Sequence, residues 1–219
     1  MMLSVVRAQL RDIYIRLIQA GLSVKQFYPS DIGDPKGGAR IGDLTTTAVA
    51  LRDVAYEVVY EELDRHDGYH VKLPDGGLLI FQYAFSDPQS IVKHRLAYFP
   101  SPILPTIEEA PHLYEHDELY ADIILARLVR FPVRFDFDPG AHRDLIHPKS
   151  HLTLGQFQNC RIPVTSPVMP NTFVLFLLRN FYFRSYLRNK NRFDRRMNIG
   201  KIDRTLTQAE ARIAHVVMN

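Results

Sequence analysis

Apolar residues recur at helical spacing through the first twenty positions, where Val6, Leu10, Ile13, Leu17 and Ile18 share one face and Gly21 follows as a stop. This pattern predicts an N-terminal packing helix over residues 3–20. Residues 30–43, rich in Gly, Asp and Pro, predict a loop and lack the G-x-x-x-x-G-K-[ST] spacing of a phosphate loop. A second helix is predicted from Thr46 to Asp64. From Gly68 the period falls to two: YHVKL, the turn Pro74-Asp75-Gly76-Gly77 and LLIFQYAF form a predicted hairpin, and IVKHRLAYF a third strand. Pro111 opens a predicted helix through LYEHDELYADIILARL. Strands return as LVRFPVRFDFD, SHLTLGQF and NCRIPV, and a last helix begins near Pro170.

Helices at the ends with strands grouped between them predict an α+β fold. The expected architecture is a single domain over residues 1–219, a mainly antiparallel sheet with the N-terminal and C-terminal helices packed on it and a basic helical extension from about 179 to 219. Strict alternation of strand and helix, the mark of a doubly wound sheet, is missing. The apolar run Phe173 to Leu178 is far shorter than the ~20 residues that span a bilayer, and Arg179 ends it. It is read as a buried helix.

Composition narrows the setting. A chain of 219 residues, 46% hydrophobic and 23% charged, can bury a real core, which excludes disorder of the whole. The single cysteine, Cys160, forms no internal disulfide and removes any cysteine-cluster zinc site. Arg7, Arg11, Asp12 and Arg16 interrupt the first helix, so it is not read as a signal sequence or an anchor. The expectation is a cytoplasmic protein without a membrane partner.

Charge is unevenly spread. Residues 179–204 carry nine Lys and Arg against Asp194 and Asp203, a net of +7, while the remainder carries 18 basic and 22 acidic residues, a net of −4. On one continuous helix, Asn180, Arg184, Arg188, Asn191 and Arg195 would form a basic stripe interleaved with Phe181, Tyr182, Tyr186 and Phe193. Guanidinium groups beside aromatics suit backbone phosphates and base stacking, so Arg184, Arg188 and Arg195 are candidate nucleic-acid contacts. The same pattern describes a helix whose aromatic side is core and whose basic side is wet.

The densest group of titratable residues lies in FPVRFDFDPGAHRDLIHPKSHLTLGQFQNCRIP, residues 131–163. Alternation puts Arg134, Asp136 and Asp138 on one side of a strand and Phe135 and Phe137 on the other, in the core. Two carboxylates so placed can share a divalent cation or polarise a histidine, and an arginine on that face can neutralise them or hold a phosphate. His147 and His151 have the spacing of helical zinc ligands, but Pro148 and the extended flank argue against a helix. On a turn entering a strand, both imidazoles can converge with Asp136 as acid, base or ligand. His147, His151 and Asp136 are therefore the candidate catalytic residues, and Arg134, Lys149 and Arg161 the candidate phosphate contacts. His151-Leu152-Thr153 matches half of a two-histidine phosphoesterase pattern whose second H-x-[ST] is absent. His112-Leu113-Tyr114-Glu115-His116 matches the H-x-x-E-H zinc pattern, which makes His112 and His116 alternative metal ligands, with no carboxylate helix found to complete the set. The pattern implies no cofactor, and a divalent metal stays open as an alternative.

HRLAYFPSPILP, HDELYADI, VRFPVRFDFDP, HPKSHLTLGQFQNCRIPVTSP and FLLRNFY together resemble an uncharacterised bacterial protein family, a domain of unknown function. The likeness covers roughly residues 50–185, and HPKSHLTLG and NCRIP are its most specific segments. It implies an association with mobile elements and defence islands, and it carries over no catalytic residue. Three functions stay open. The leading expectation is an accessory component of a defence or toxin–antitoxin type system that recognises nucleic acid or a phosphate-bearing ligand. The second is a metal-dependent or histidine-based phosphodiesterase or nuclease. The third is a subunit whose basic block docks a protein partner.

Overall fold

The computed structural model describes residues 1–33, 38–42, 54–102, 131–157, 159–195, 197, 200 and 202–218. In chain order these form α1 (Met2–Gln19), β1 (Lys25–Gln26), β2 (Asp31–Gly33), β3 (Ala39–Ile41), α2 (Tyr56–Arg65), β4 (Val71–Lys72), β5 (Leu78–Asp87), β6 (Ser90–Phe99), β7 (Val133–Phe137), β8 (Ser150–Leu154), β9 (Ile162–Pro163), α3 (Pro170–Phe181), α4 (Phe183–Arg188) and α5 (Lys190–Phe193). The strands build one sheet in the order β1-β4-β5-β6-β7-β8-β9, with the β2–β3 hairpin attached to β5. Every strand pair among the described residues is antiparallel. The fold is α+β, with N-terminal and C-terminal helices packed on an antiparallel sheet.

Residue parity decides what each face of the sheet meets. One face presents Leu79, Phe81, Tyr83 and Phe85 of β5, Leu96 and Tyr98 of β6, Val133 and Phe135 of β7 and Leu152 of β8. These pack with Val6, Leu10, Ile13, Tyr14 and Leu17 of α1 and with Phe173, Val174, Leu177 and Leu178 of α3. On the opposite face Leu78, Ile80, Ala97 and Phe99 pack against Val59, Tyr60 and Leu63 of α2. Further along that face β6 and β7 present charged residues, Lys93, Arg95, Arg134 and Asp136. The site described below occupies that polar end.

Local chemistry accounts for the helix boundaries. The N–H of Leu22 donates to the Leu17 carbonyl at 2.8 Å and that of Gly21 to the Ile18 carbonyl at 3.1 Å, while Gly21 takes φ +68°. This paired arrangement closes the end of α1. Buried Gln9 of α1 accepts from the Asn171 N–H at 3.1 Å and so ties the start of α3, where Pro170 holds the first position, to α1. Gly42 also has positive φ, +74°, and a Cβ there would lie 2.4 Å from the Phe81 carbonyl oxygen. Gly42→Ala is therefore expected to cost more than Gly21→Ala, which meets open space and should cost about 1 kcal/mol. Urea unfolding of the two variants checks this order.

Four expectations change. Ile18 is exposed, because Tyr14 and Leu3 complete the apolar stripe of α1 instead. Residues 31–33 and 39–41 are paired strands within the segment read as a loop. The described part of the second helix starts at Tyr56. The C-terminal helix is broken: Tyr182 leaves helical geometry (φ −130°, ψ 46°), and the chain restarts as the short helices α4 and α5. The break coincides with a buried tie. The Tyr182 hydroxyl donates to Asp75 at 2.7 Å and lies 2.8 Å from the Tyr98 hydroxyl. The predicted helix over 112–128, with His112 and His116, lies outside the described residues. None of the described helices is long and apolar enough to cross a membrane.

Candidate functional site

The pocket begins as a row of facing residues across three strands. Arg95 of β6 lies opposite Asp136 of β7, and Asp136 lies opposite His151 of β8. The row beside it contains Ala97, Arg134 and Thr153. Directly opposed residues are close enough to interact, so register alone gathers two arginines, a carboxylate and an imidazole. Arg95 Nε donates to Asp136 Oδ1 at 2.7 Å, and Arg134 Nε to Oδ2 at 3.0 Å. His151 Nε2 stands 3.8 Å from Asp136 Oδ2, beyond hydrogen-bond reach.

After β7 the chain turns through Pro139–Ala141 and returns to β8, and this return brings His147 over the row. The rings of His147 and His151 meet edge to face with centroids 4.7 Å apart. His151 Nδ1 lies 2.9 Å from the Pro148 carbonyl, which can only accept, so that nitrogen carries the proton and Nε2 of the neutral ring is left as an acceptor. His147 Nδ1 is buried with no hydrogen-bond partner. Lys93 donates to Asp138 at 2.7 Å on the rim. Together Lys93, Arg95, Arg134, Asp136, Asp138, His147, His151 and Arg161 line a pocket of about 210 Å³.

The electrostatics of the pocket are lopsided. Burial pushes the Asp136 carboxyl up, but the guanidinium of Arg95 and then that of Arg134 outweigh it and hold the group at about 2. Burial pushes His151 down, an effect that Asp136 only partly offsets. Burial also lowers His147, and Arg161 acts in the same direction. Both imidazoles are therefore uncharged at neutral pH. The lining then holds four cationic side chains against two carboxylates, a net of +2. Asp136 and Asp138 are each already engaged by cations, so the pair does not offer a divalent-cation site. Among the described residues no carboxylate pairs with Arg161.

The comparison with known families fits this geography, because the pocket strands and the C-terminal segment fall within one matched region. Residues 25–218 match the family described as "Uncharacterized conserved protein (DUF2290)". The chain belongs to this family. No curated protein and no solved structure matches it. The DUF2290 region takes in every residue of the pocket, and it takes in the C-terminal turn that carries Glu210.

The structure brings together His147, His151, Asp136, Arg134 and Arg161 and does not bring in the other candidates. Lys149 does not line the pocket; its carbonyl accepts the Asp138 N–H at 2.8 Å. Arg184 and Arg188 are exposed on α4, and Arg195 is exposed just beyond α5. None of the three lines the pocket, and the break at Tyr182 removes the single helix on which they would have formed a stripe. The aromatics between them, Tyr182, Tyr186 and Phe193, are buried. Asp194 neutralises part of the block through Arg179 at 3.8 Å and Lys190 at 4.0 Å. Sequence reasoning missed Lys93 and Arg95. The alternation in IVKHRLAYF, with both cations on one side, was a usable signal for them.

Proposed function

We propose that the protein recognises a phosphate group, on nucleic acid or on a smaller phosphate-bearing ligand, in the pocket between β6, β7, β8 and the His147 loop. The observation that carries this reading is the surplus of positive charge at the pocket: four Lys and Arg side chains against two carboxylates, with Arg161 unpaired among the described residues. Guanidinium forks match phosphate oxygens, and Asp136 holds two of them in fixed orientation before a ligand arrives. The pocket is smaller than the ~300–1,000 Å³ of a drug-sized site, which suits one phosphate rather than a whole nucleotide. In the accessory role that the family resemblance implies, the phosphate would belong to foreign nucleic acid.

Fluorescence anisotropy with labelled single-stranded and duplex oligonucleotides, alongside calorimetry with inorganic phosphate, tests the proposal. Arg161→Gln should weaken binding at least about tenfold and, with oligonucleotide, reduce the salt slope by about one. Simultaneous Arg184→Gln, Arg188→Gln and Arg195→Gln should change phosphate binding little. Loss of binding in the triple variant with full binding in Arg161→Gln would overturn the pocket reading. Binding of phosphate without oligonucleotide would assign a small ligand.

A second reading, phosphodiester cleavage, is favoured by one feature: the Pro148 carbonyl fixes the His151 proton on Nδ1 and leaves Nε2 in the pocket beside His147. His151→Gln should then abolish hydrolysis of an activated phosphodiester while phosphate still binds.

A further inference from the structure

The loop that carries His147 holds a second set of ligating side chains. Arg143 and His147 exchange two backbone hydrogen bonds, at 3.0 and 2.7 Å, and pinch the loop into a tight turn with Leu145 at φ +62°. On the other side of this turn the loop meets the C-terminal segment. Thr207 and Glu210 there form a reciprocal cap: the Thr207 N–H donates to Glu210 Oε2 at 3.0 Å, and the Glu210 N–H donates to Thr207 Oγ1 at 3.2 Å. Thr207 Oγ1 in turn donates to Asp144 Oδ1 at 2.6 Å. The cap fixes the Glu210 side chain through one oxygen and leaves the other free.

That free oxygen is the informative atom. Glu210 is 1% exposed, and its Oε1 has no hydrogen-bond partner. Oε1 lies 3.5 Å from His142 Nε2, which is likewise buried and without a hydrogen-bond partner. One ligand atom from each of His142, Asp144 and Glu210 falls within 4.8 Å of the others. An unsatisfied buried carboxylate oxygen is costly, and the facing His142 Nε2 is left without a hydrogen bond as well. Two ligands of one zinc ion, each about 2.1 Å from it at a tetrahedral angle, lie roughly 3.4 Å apart. The His142 to Glu210 separation is close to that value, and Asp144, at the surface, offers a carboxylate oxygen within 4.8 Å of both.

We propose that His142, Asp144 and Glu210 form a site for a divalent transition-metal ion of the Zn²⁺ or Mn²⁺ class. One imidazole with two carboxylates favours such ions over Mg²⁺ or Ca²⁺, which prefer all-oxygen shells, and three protein ligands leave positions for water. The site is separate from the phosphate pocket, whose lining includes none of the three. The metal ties the C-terminal turn to the loop that presents His147.

The test is calorimetric titration of the chelator-stripped full chain with ZnCl₂ and MnCl₂, with thermal unfolding followed in parallel. Wild-type protein should bind one ion saturably and gain several degrees in Tm. His142→Gln and Asp144→Asn should each weaken binding at least about tenfold and lose the metal-dependent Tm rise, whereas Arg161→Gln should keep both. Asp144 is exposed, so its variant stays folded even if changes at buried Glu210 do not. Absence of saturable binding, or wild-type affinity retained in His142→Gln and Asp144→Asn, would overturn the site. A plain His142–Glu210 ion pair would instead show a Tm loss in His142→Gln that metal does not alter in any variant, and that too would overturn it.

Discussion

Asp136→Ala should lower the free energy of unfolding by about 3–5 kcal/mol, read as a fall in the urea midpoint at pH 7. The carboxylate is 8% exposed and accepts from both Arg95 and Arg134, each 17% exposed, so its removal leaves two guanidinium groups facing each other with little water between them. Arg161→Gln should leave stability unchanged to within about 0.5 kcal/mol and lose phosphate affinity, because Arg161 is in no ion pair among the described residues. A midpoint in Asp136→Ala equal to that of wild type would mean that the carboxylate does not hold the two arginines in place.

Acidification should destabilise the fold well above the range where carboxylates titrate. His94, on the core side of β6, is 1% exposed; its Nε2 accepts from the Val168 N–H at 2.9 Å, and burial pushes it down to about 4. In the unfolded chain the same imidazole titrates near its ordinary 6.5. The unfolded state therefore binds the extra proton first. The stability from a neutral His94 is complete above pH 6.5, is lost progressively as the pH falls to about 4, and amounts to about 3 kcal/mol. His70, half-buried and also lowered by burial, acts in the same direction. Asp136 acts in a lower window: held at about 2 against an ordinary 3.8, it stabilises fully above 3.8 and loses that contribution as the pH falls towards 2. Urea unfolding at pH 7, 5.5 and 4.5 should show the His94 slope, and His94→Gln, which keeps an acceptor for Val168, should flatten it. An unchanged slope in that variant would assign acid sensitivity elsewhere.

Much of the frame was legible in local pattern. The stripe from Val6 to Leu17, the stop at Gly21, the turn at Pro74–Gly77 and the alternation from Arg134 to Phe137 each depend on residues close in sequence, and each appears in the structure. The polar side of β7 could be read as charged, but not as buried. Asp136 is covered because register sets Arg95 and His151 on either side of it, and register between distant strands leaves no trace in one sequence. The break at Tyr182 was illegible for a similar reason. No Pro or Gly marks it, and the tie to Asp75 spans 107 residues of sequence. Glu210 was invisible as a partner of His142, although T-x-x-E at Thr207 is a local capping pattern that could have placed its side chain.

Occupation of the pocket is read most directly from the imidazole NMR resonances of His147 and His151 during titration with inorganic phosphate at constant pH and ionic strength. Phosphate should shift both together and saturably, leave His215, which does not line the pocket, unmoved, and shift neither in Arg161→Gln. Shifts that fail to saturate, that appear equally at His215, or that persist in Arg161→Gln would contradict phosphate recognition at this site.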